Sequence, residues 1–209
     1  MAGAREDIPL PRDFYLQDTT TVARDLLGRH LVLQRPGAPD RVARIVETEA
    51  YLGEGDRASH AWHGHTKRTA PMYEDPGHAY LYFVYGMHWC LNAVTEPAGS
   101  PCAVLLRAVE PLAGLMRATN GPARLCKAFG IDGAWNRTDL TTSDLRITTG
   151  QTIRPERIGV SPRIGIPYAG EWASQPLRFF ITDNQWVSGA RAARSPRLQP
   201  APERAPVGH

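Results

Sequence analysis

His78-Ala79-Tyr80-Leu81-Tyr82-Phe83-Val84-Tyr85-Gly86-Met87-His88-Trp89-Cys90-Leu91-Asn92-Ala93-Val94 reads as two apolar, alternating runs on either side of Tyr85-Gly86-Met87. A period of two marks a half-buried strand. Gly86 supplies the positive φ that a tight turn often requires. The stretch is a β-hairpin, with Tyr80 and Tyr82 on one face and Tyr85 free to project from the turn. An aromatic at a hairpin tip is usually a packing contact, and it can also be a wedge of the kind that minor-groove proteins push between base pairs. On the return strand Asn92 is a polar residue between Leu91 and Ala93. It is either an amide satisfied by backbone or a pocket group that reads a ligand edge.

Outward from the hairpin the chain continues in strands. Arg29–Gln34, Val42–Tyr51, Ala103–Val109, Arg157–Ile166 and Leu177–Ile181 are apolar or alternating runs between turn residues. Two helices interrupt them. The first follows Asp18 and Thr19 as cap candidates, sets Val22, Leu26 and Leu27 on one face, and stops at Gly28. The second opens at Gly121-Pro122, with proline at its first position, and runs through Leu125, Cys126 and Phe129 to Gly130. Many short strands around a few helices predict an α+β domain with a largely antiparallel sheet. The domain is expected over residues 8–187. From Ser188 to His209 the chain has four arginines, four prolines and five alanines with no apolar period. Such a segment buries too little surface to offset its ordering entropy, and reads as a flexible basic tail.

Composition narrows the function classes. With 209 residues, 42% hydrophobic and 22% charged, the chain suits one domain with a real core. Its 19 glycines and 18 prolines disfavour a helical bundle. No internal repeat is visible, which disfavours solenoids and propellers. No apolar run reaches the length that spans a bilayer, and the N-terminal residues are charged rather than apolar, unlike a signal peptide. Three widely spaced cysteines, Cys90, Cys102 and Cys126, make neither a disulfide framework nor a metal pair. These features predict a reduced, cytoplasmic protein away from the membrane. The net charge of +3 is mild, and the basic residues are two lysines, Lys67 and Lys127, against 22 arginines. Arginine suits phosphate contacts through its planar fork, although codon composition explains the same bias.

The chemistry concentrates in Arg44-Ile45-Val46-Glu47-Thr48-Glu49-Ala50-Tyr51-Leu52-Gly53. On a strand, Glu47, Glu49 and Tyr51 share one face. Carboxylates on an otherwise apolar strand are costly to bury, so they are either decoration on an exposed edge or a catalytic site. In an aromatic-lined pocket one of them would be a good general base for water. Downstream, His60, His63 and His65 lie within six residues and invite a metal reading. They lack zinc-type spacing and look like part of a loop, which argues against metal. Rival readings are a lesion binder without chemistry, a glycoside-processing enzyme using Glu47 and Glu49 as a pair, and a zinc hydrolase on the histidines.

Four ordered runs carry a resemblance. They are Val46–Gly53, Pro76–Met87, Leu105-Leu106-Arg107-Ala108-Val109-Glu110-Pro111 and Asn120-Gly121-Pro122-Ala123-Arg124-Leu125-Cys126-Lys127-Ala128. Together they resemble the 3-methyladenine (alkyladenine) DNA glycosylase family over about Leu10 to Ile181. The resemblance implies an α+β fold around a curved antiparallel sheet, with the hairpin protruding into the DNA minor groove. It implies a monomeric, monofunctional base-excision enzyme acting on damaged purines in double-stranded DNA, without cofactor or metal. It implies that Glu49 is the catalytic carboxylate that activates water and that Arg107 is a basic residue beside it. Tyr51, His60 and Tyr82 become stacking walls of the base pocket, and Asn92 the amide that crowds the amino group of normal guanine. Tyr85 becomes the intercalating residue, and Lys67, Arg68 and Met87 become candidate DNA contacts. The loop Lys67–Met72 matches only partly, so no role in lesion choice is carried over to it.

Overall fold

The computed structural model describes residues 8–84 and 86–189. Tyr85, and the expected tail from residue 190 onward, lie outside them. Two short helices come first, α1 (Arg12–Tyr15) and α2 (Thr19–Asp25). Asp18 caps α2 by accepting from the Thr20 and Thr21 N–H groups, as its position before the apolar face predicts. Strands β1 (His30–Arg35), β2 (Ala38–Tyr51), β3 (Ala79–Val84), β4 (His88–Thr95) and β5 (Cys102–Ala113) follow. Helix α3 (Pro122–Phe129) begins with its proline and closes at Gly130. Three strands complete the domain, β6 (Leu145–Thr148), β7 (Ile158–Ser161) and β8 (Arg178–Ile181).

All the strand pairings are antiparallel. The order is β3-β4-β5-β2-β1-β6, with β8 and β7 branching from β2. One edge of β2 is thus shared: its first half pairs β1 and residues 47–49 pair β8. Its other edge runs along β5 from Val42 to Tyr51. This central position removes the exposed-edge reading of the two glutamates, and every residue from Ile45 to Ala50 is buried.

The main core gathers α2, β1, β2, the Leu81/Leu91 face of the hairpin, α3 and β8. Thr48 on β2 is tied to it by donating to the Ala23 carbonyl of α2 at 2.7 Å. A smaller cluster of Ala61, Met72, Tyr80, Val94 and Ala103 lies apart from it, with Tyr73 and Tyr82 packed against it. The hairpin pairs Tyr80 with Asn92, Tyr82 with Cys90 and Val84 with His88. At its turn Gly86 takes φ +66, the left-handed conformation expected of it.

Several expectations are corrected. The run expected as a strand over Arg157–Ile166 pairs only to Ser161, because Pro162 has no N–H to continue a ladder and the chain then turns inward. His60 and His63 sit on a 3₁₀ turn, His60–His63, rather than in an irregular loop. The short elements α1 and β6 were not anticipated. Ser188, placed at the head of the tail, is buried and bonded to Glu47.

Tyr15 is fully buried, and its hydroxyl has no hydrogen-bond partner among the described residues. Burial pushes its phenol far above the ordinary value. A buried hydroxyl without a partner costs roughly 1–3 kcal/mol. Tyr15→Phe is therefore expected to keep or raise the melting temperature, as thermal unfolding followed by circular dichroism would show.

Candidate active site

The site starts from a fault in the β2–β5 ladder. Ile45 pairs Val109 and Glu47 pairs Ala108, which skips Val46. Next, Thr48 pairs Leu106, which skips Arg107. Consecutive bulges on opposite strands re-aim side chains, a device that recurs beside active sites. The two slips cancel, so Arg107 of β5 keeps the parity of Leu105 and shares the face that carries Glu47 and Glu49. Its Nε donates to Glu47 Oε1 at 3.1 Å and its Nη1 to Glu49 Oε2 at 3.2 Å. Burial works against the cation, and the Glu49 and Glu47 carboxylates outweigh it and raise the pKa of Arg107.

The two carboxylates have unlike surroundings, although neither is exposed. Glu47 accepts four hydrogen bonds among the described residues. They come from Arg107 Nε, Arg178 Nε at 2.7 Å, Ser188 Oγ at 2.7 Å and the Ser188 N–H at 2.6 Å. Three of these meet at Oε1, and one, from the Ser188 N–H, at Oε2. Glu49 accepts three. The Ile164 N–H reaches Oε1 at 2.7 Å, and Tyr51 Oη at 2.9 Å joins Arg107 on Oε2. Among the described residues, Oε1 of Glu49 has the Ile164 N–H as its single donor, as Oε2 of Glu47 has the Ser188 N–H. Burial raises its pKa above the ordinary carboxylate range, against the opposing pull of Arg107, the Ile164 N–H and the Tyr51 hydroxyl.

Above this layer lies a cavity of about 280 Å³, near the small end of the range of roughly 300–1,000 Å³ typical of ligand pockets. Tyr51, His60, Tyr80 and Tyr82 form its aromatic walls, with Asn92 and Arg107 as polar groups. Glu49 is not on its wall; it lies beneath, behind Tyr51, Arg107 and Ile164, which are. The His60 ring stands edge-on to Tyr82 at 4.3 Å, and its Nδ1 shares a hydrogen bond with the Tyr80 hydroxyl at 3.0 Å. Burial, helped by Arg68, pushes the pKa of His60 down to about 4, so the ring is neutral at pH 7. Burial also lifts the Tyr80 phenol to about 12. Asn92 is satisfied by backbone, its Nδ2 donating to the Tyr80 carbonyl at 3.0 Å, and it also lines the cavity.

The structure thus brings Glu49, Tyr51, His60, Tyr82, Asn92 and Arg107 together. Lys67, Arg68 and Met87 are exposed outside the cavity, and the Arg68 guanidinium lies 5.9 Å from the Tyr82 ring centre. Sequence reasoning missed Arg178, Ser188, Ile164 and Tyr80 as parts of the site. Only Tyr80 carried a signal, since it shares the strand face of Tyr82. Among the described residues no group of three or more His, Cys, Asp or Glu could hold a metal ion. No helix there is long and apolar enough to cross a membrane.

Fold and site define a single-domain α+β protein with an aromatic-walled pocket beside a buried carboxylate. The family model for methylpurine-DNA glycosylase (MPG) matches residues 13–185. A "Putative 3-methyladenine DNA glycosylase" of Myxococcus xanthus is 49% identical over 181 residues, 86% of this chain and 93% of its own length. Proteins of the same name from Legionella pneumophila (strain Corby) and Methanocella arvoryzae are 46% and 47% identical. Each alignment spans 86% of this chain, and 97% and 95% of those relatives. The chain belongs to the methylpurine-DNA glycosylase family, which places it among the monofunctional DNA glycosylases, hydrolases of base-excision repair.

The bonding of Glu47 has a direct consequence for stability. Glu47→Ala leaves the buried Arg178 without its carboxylate partner and Arg107 with Glu49 alone, which costs about 3–5 kcal/mol for a broken buried pair. A denaturant titration is expected to show that loss with an unchanged m-value.

Proposed function

We propose that this protein removes alkylated or deaminated purines, of the 3-methyladenine type, from duplex DNA. The damaged nucleotide rotates out of the stack, its base enters the cavity between Tyr51, His60 and Tyr82, and water activated by Glu49 hydrolyses the N-glycosidic bond to leave an abasic site. The observation that carries this reading is the inequality of the two carboxylates. All three donors to Glu49, from Tyr51, Arg107 and Ile164, line the cavity, whereas Arg178 and Ser188, which hold Glu47, do not.

The chemistry follows from that inequality. A base inside the duplex is out of reach of any side chain, so extrusion is required and costs a few kcal/mol. Stacking on aromatic walls returns about 1–3 kcal/mol per base. Because His60 is neutral, the walls do not repel a cationic alkylated ring. Such a ring is already a good leaving group, and one carboxylate can both orient the water and stabilise an oxocarbenium-like sugar. Glu49 accepts a proton from that water, and Arg107 fixes the carboxylate plane.

The carboxylate-pair reading loses support because Glu47 is held by Arg178 and Ser188, which are not part of the cavity lining. A lesion binder without chemistry has no use for a buried carboxylate whose charge opposes DNA. A Schiff-base route needs an amine at the site, and neither Lys67 nor Lys127 lines the cavity. Outside the pocket, Lys67, Arg68 and Met87 contact the DNA in this reading, and Tyr85, by its place in the chain between Val84 and Gly86, fills the gap in the stack.

Glu49→Gln keeps the shape and removes the base. Excision from a methylpurine duplex is expected to fall at least 10²-fold, the lower end of general-base contributions, while lesion binding persists. The amide also brings a donor against the Ile164 N–H, the Tyr51 hydroxyl and Arg107, so the variant should be less stable than the parent, and retained lesion binding checks that it is folded. In the parent, Glu49 must be ionised to act. The kcat/KM profile should therefore fall off on the acid side at a higher pH than an ordinary glutamate would give. Excision within tenfold of the parent in Glu49→Gln would refute the assignment.

A further inference from the structure

We propose that Asp56 and Arg163, neither of which lines the cavity, form a positioning pair that keeps the Ile164 N–H aimed at Glu49 and braces the ring of Tyr51 from behind. The inference rests on the reading of Glu49 as the base. Both side chains are shut off from solvent. Arg163 binds Asp56 through both terminal nitrogens, Nη2 reaching Oδ1 at 2.8 Å and Nη1 meeting Oδ2. Nη1 also donates to the Ala50 carbonyl at 2.9 Å. Asp56 in turn accepts from the Leu52 N–H at 3.1 Å and the Ala58 N–H at 2.9 Å. The pair thereby ties the end of β2 and the loop after it to the segment 163–166.

That segment does two things for the site. Ile164, Gly165 and Ile166 form part of the cavity wall, and the Ile164 N–H contacts Glu49 Oε1. Gly165 turns the chain at φ +83, which a residue with a side chain would resist. Meanwhile the Arg163 guanidinium lies 4.7 Å from the centre of the Tyr51 ring, whose hydroxyl is the second donor to Glu49. Two of the three hydrogen bonds on Glu49 therefore run back to this one pair. A buried ion pair is weak evidence for stability, since apolar residues of like volume often do as well. Its geometric fixity is the property that matters here.

The groups that face Glu49 are Glu47 and Tyr51 on β2, Tyr82 on β3, Cys90 on β4, Arg107 on β5 and the Ile164 N–H. Arg163 makes its ion pair with Asp56 rather than with Glu49, and its route to Glu49 is through Ile164 and Tyr51. Hydrogen bonds to an ionised carboxylate hold its pKa down. Loosening them raises it.

Two variants test the pair. Arg163→Lys keeps a cation opposite Asp56 and loses the fork and the ring contact. The double variant Asp56→Asn/Arg163→Met removes both charges. Single-turnover base release from a methylpurine duplex, measured across pH, should show a plateau about 10–100-fold lower and an acid limb shifted up by about 0.5–1 unit. A merely structural role would lower the active fraction without moving the limb. An unmoved limb in a folded variant overturns the proposal, and so does failure of both variants to fold. If the parent itself releases no base, the proposed function falls. Titration of the Glu49 carboxyl by ¹³C NMR in the free protein then decides the pair: an upward shift in Arg163→Lys supports it, and an unchanged titration overturns it.

Discussion

Two carboxylates and two guanidinium groups share the buried centre of the sheet, and the rest of the site depends on their mutual neutralisation. Glu47, Glu49, Arg107 and Arg178 each lose most of their hydration there. An isolated ion so placed would cost several kcal/mol. The cost is met only because each charge finds an opposite charge and fixed hydrogen bonds at 2.6–3.2 Å. The sheet must supply the partners from three strands at once. That requirement explains why β2 carries both glutamates at the middle of the sheet, with β5 on one edge and β8 on the other.

The ladder is irregular at this point. Strand parity sets Arg107 on the face of the two acids, and successive bulges that skip Val46 and then Arg107 leave it with no residue paired directly opposite. Its guanidinium reaches both acids on the neighbouring strand. The chain's last described residues complete the cluster. Ser188 gives Glu47 both its N–H and its hydroxyl, and Arg178 reaches the Ser188 carbonyl. Remote parts of the chain thus meet at one carboxylate whose role is to hold others in place.

Above the charged layer the cavity walls are set by a different logic. The hairpin gives one face to the core through Leu81 and Leu91 and the other to the cavity through Tyr80, Tyr82, Cys90 and Asn92. Aromatic walls reward any flat ring, so they supply affinity with little choice. In the proposed function, choice among bases falls to the few polar groups, chiefly Asn92, whose amide is held by the Tyr80 carbonyl.

The elements legible in the sequence were those decided by near neighbours. Asp18 caps α2 through N–H groups two and three residues on, Pro122 opens α3, and Gly86 turns the hairpin. Alternation placed Glu47, Glu49 and Tyr51 on one face and Tyr80 with Tyr82 on another, because side-chain direction in a strand depends on parity alone. The resemblance of four motifs then singled out Glu49. What distinguishes Glu49 from Glu47 was not legible, since both are glutamates on one strand face. The difference lies in which donors reach each, and those donors come from residues 107, 164, 178 and 188. Arg163 and Asp56 looked like ordinary polar residues for the same reason. Local sequence determines which way a side chain points; only the folded chain determines what it meets, because hydrogen bonds and burial arise from segments more than a hundred residues apart.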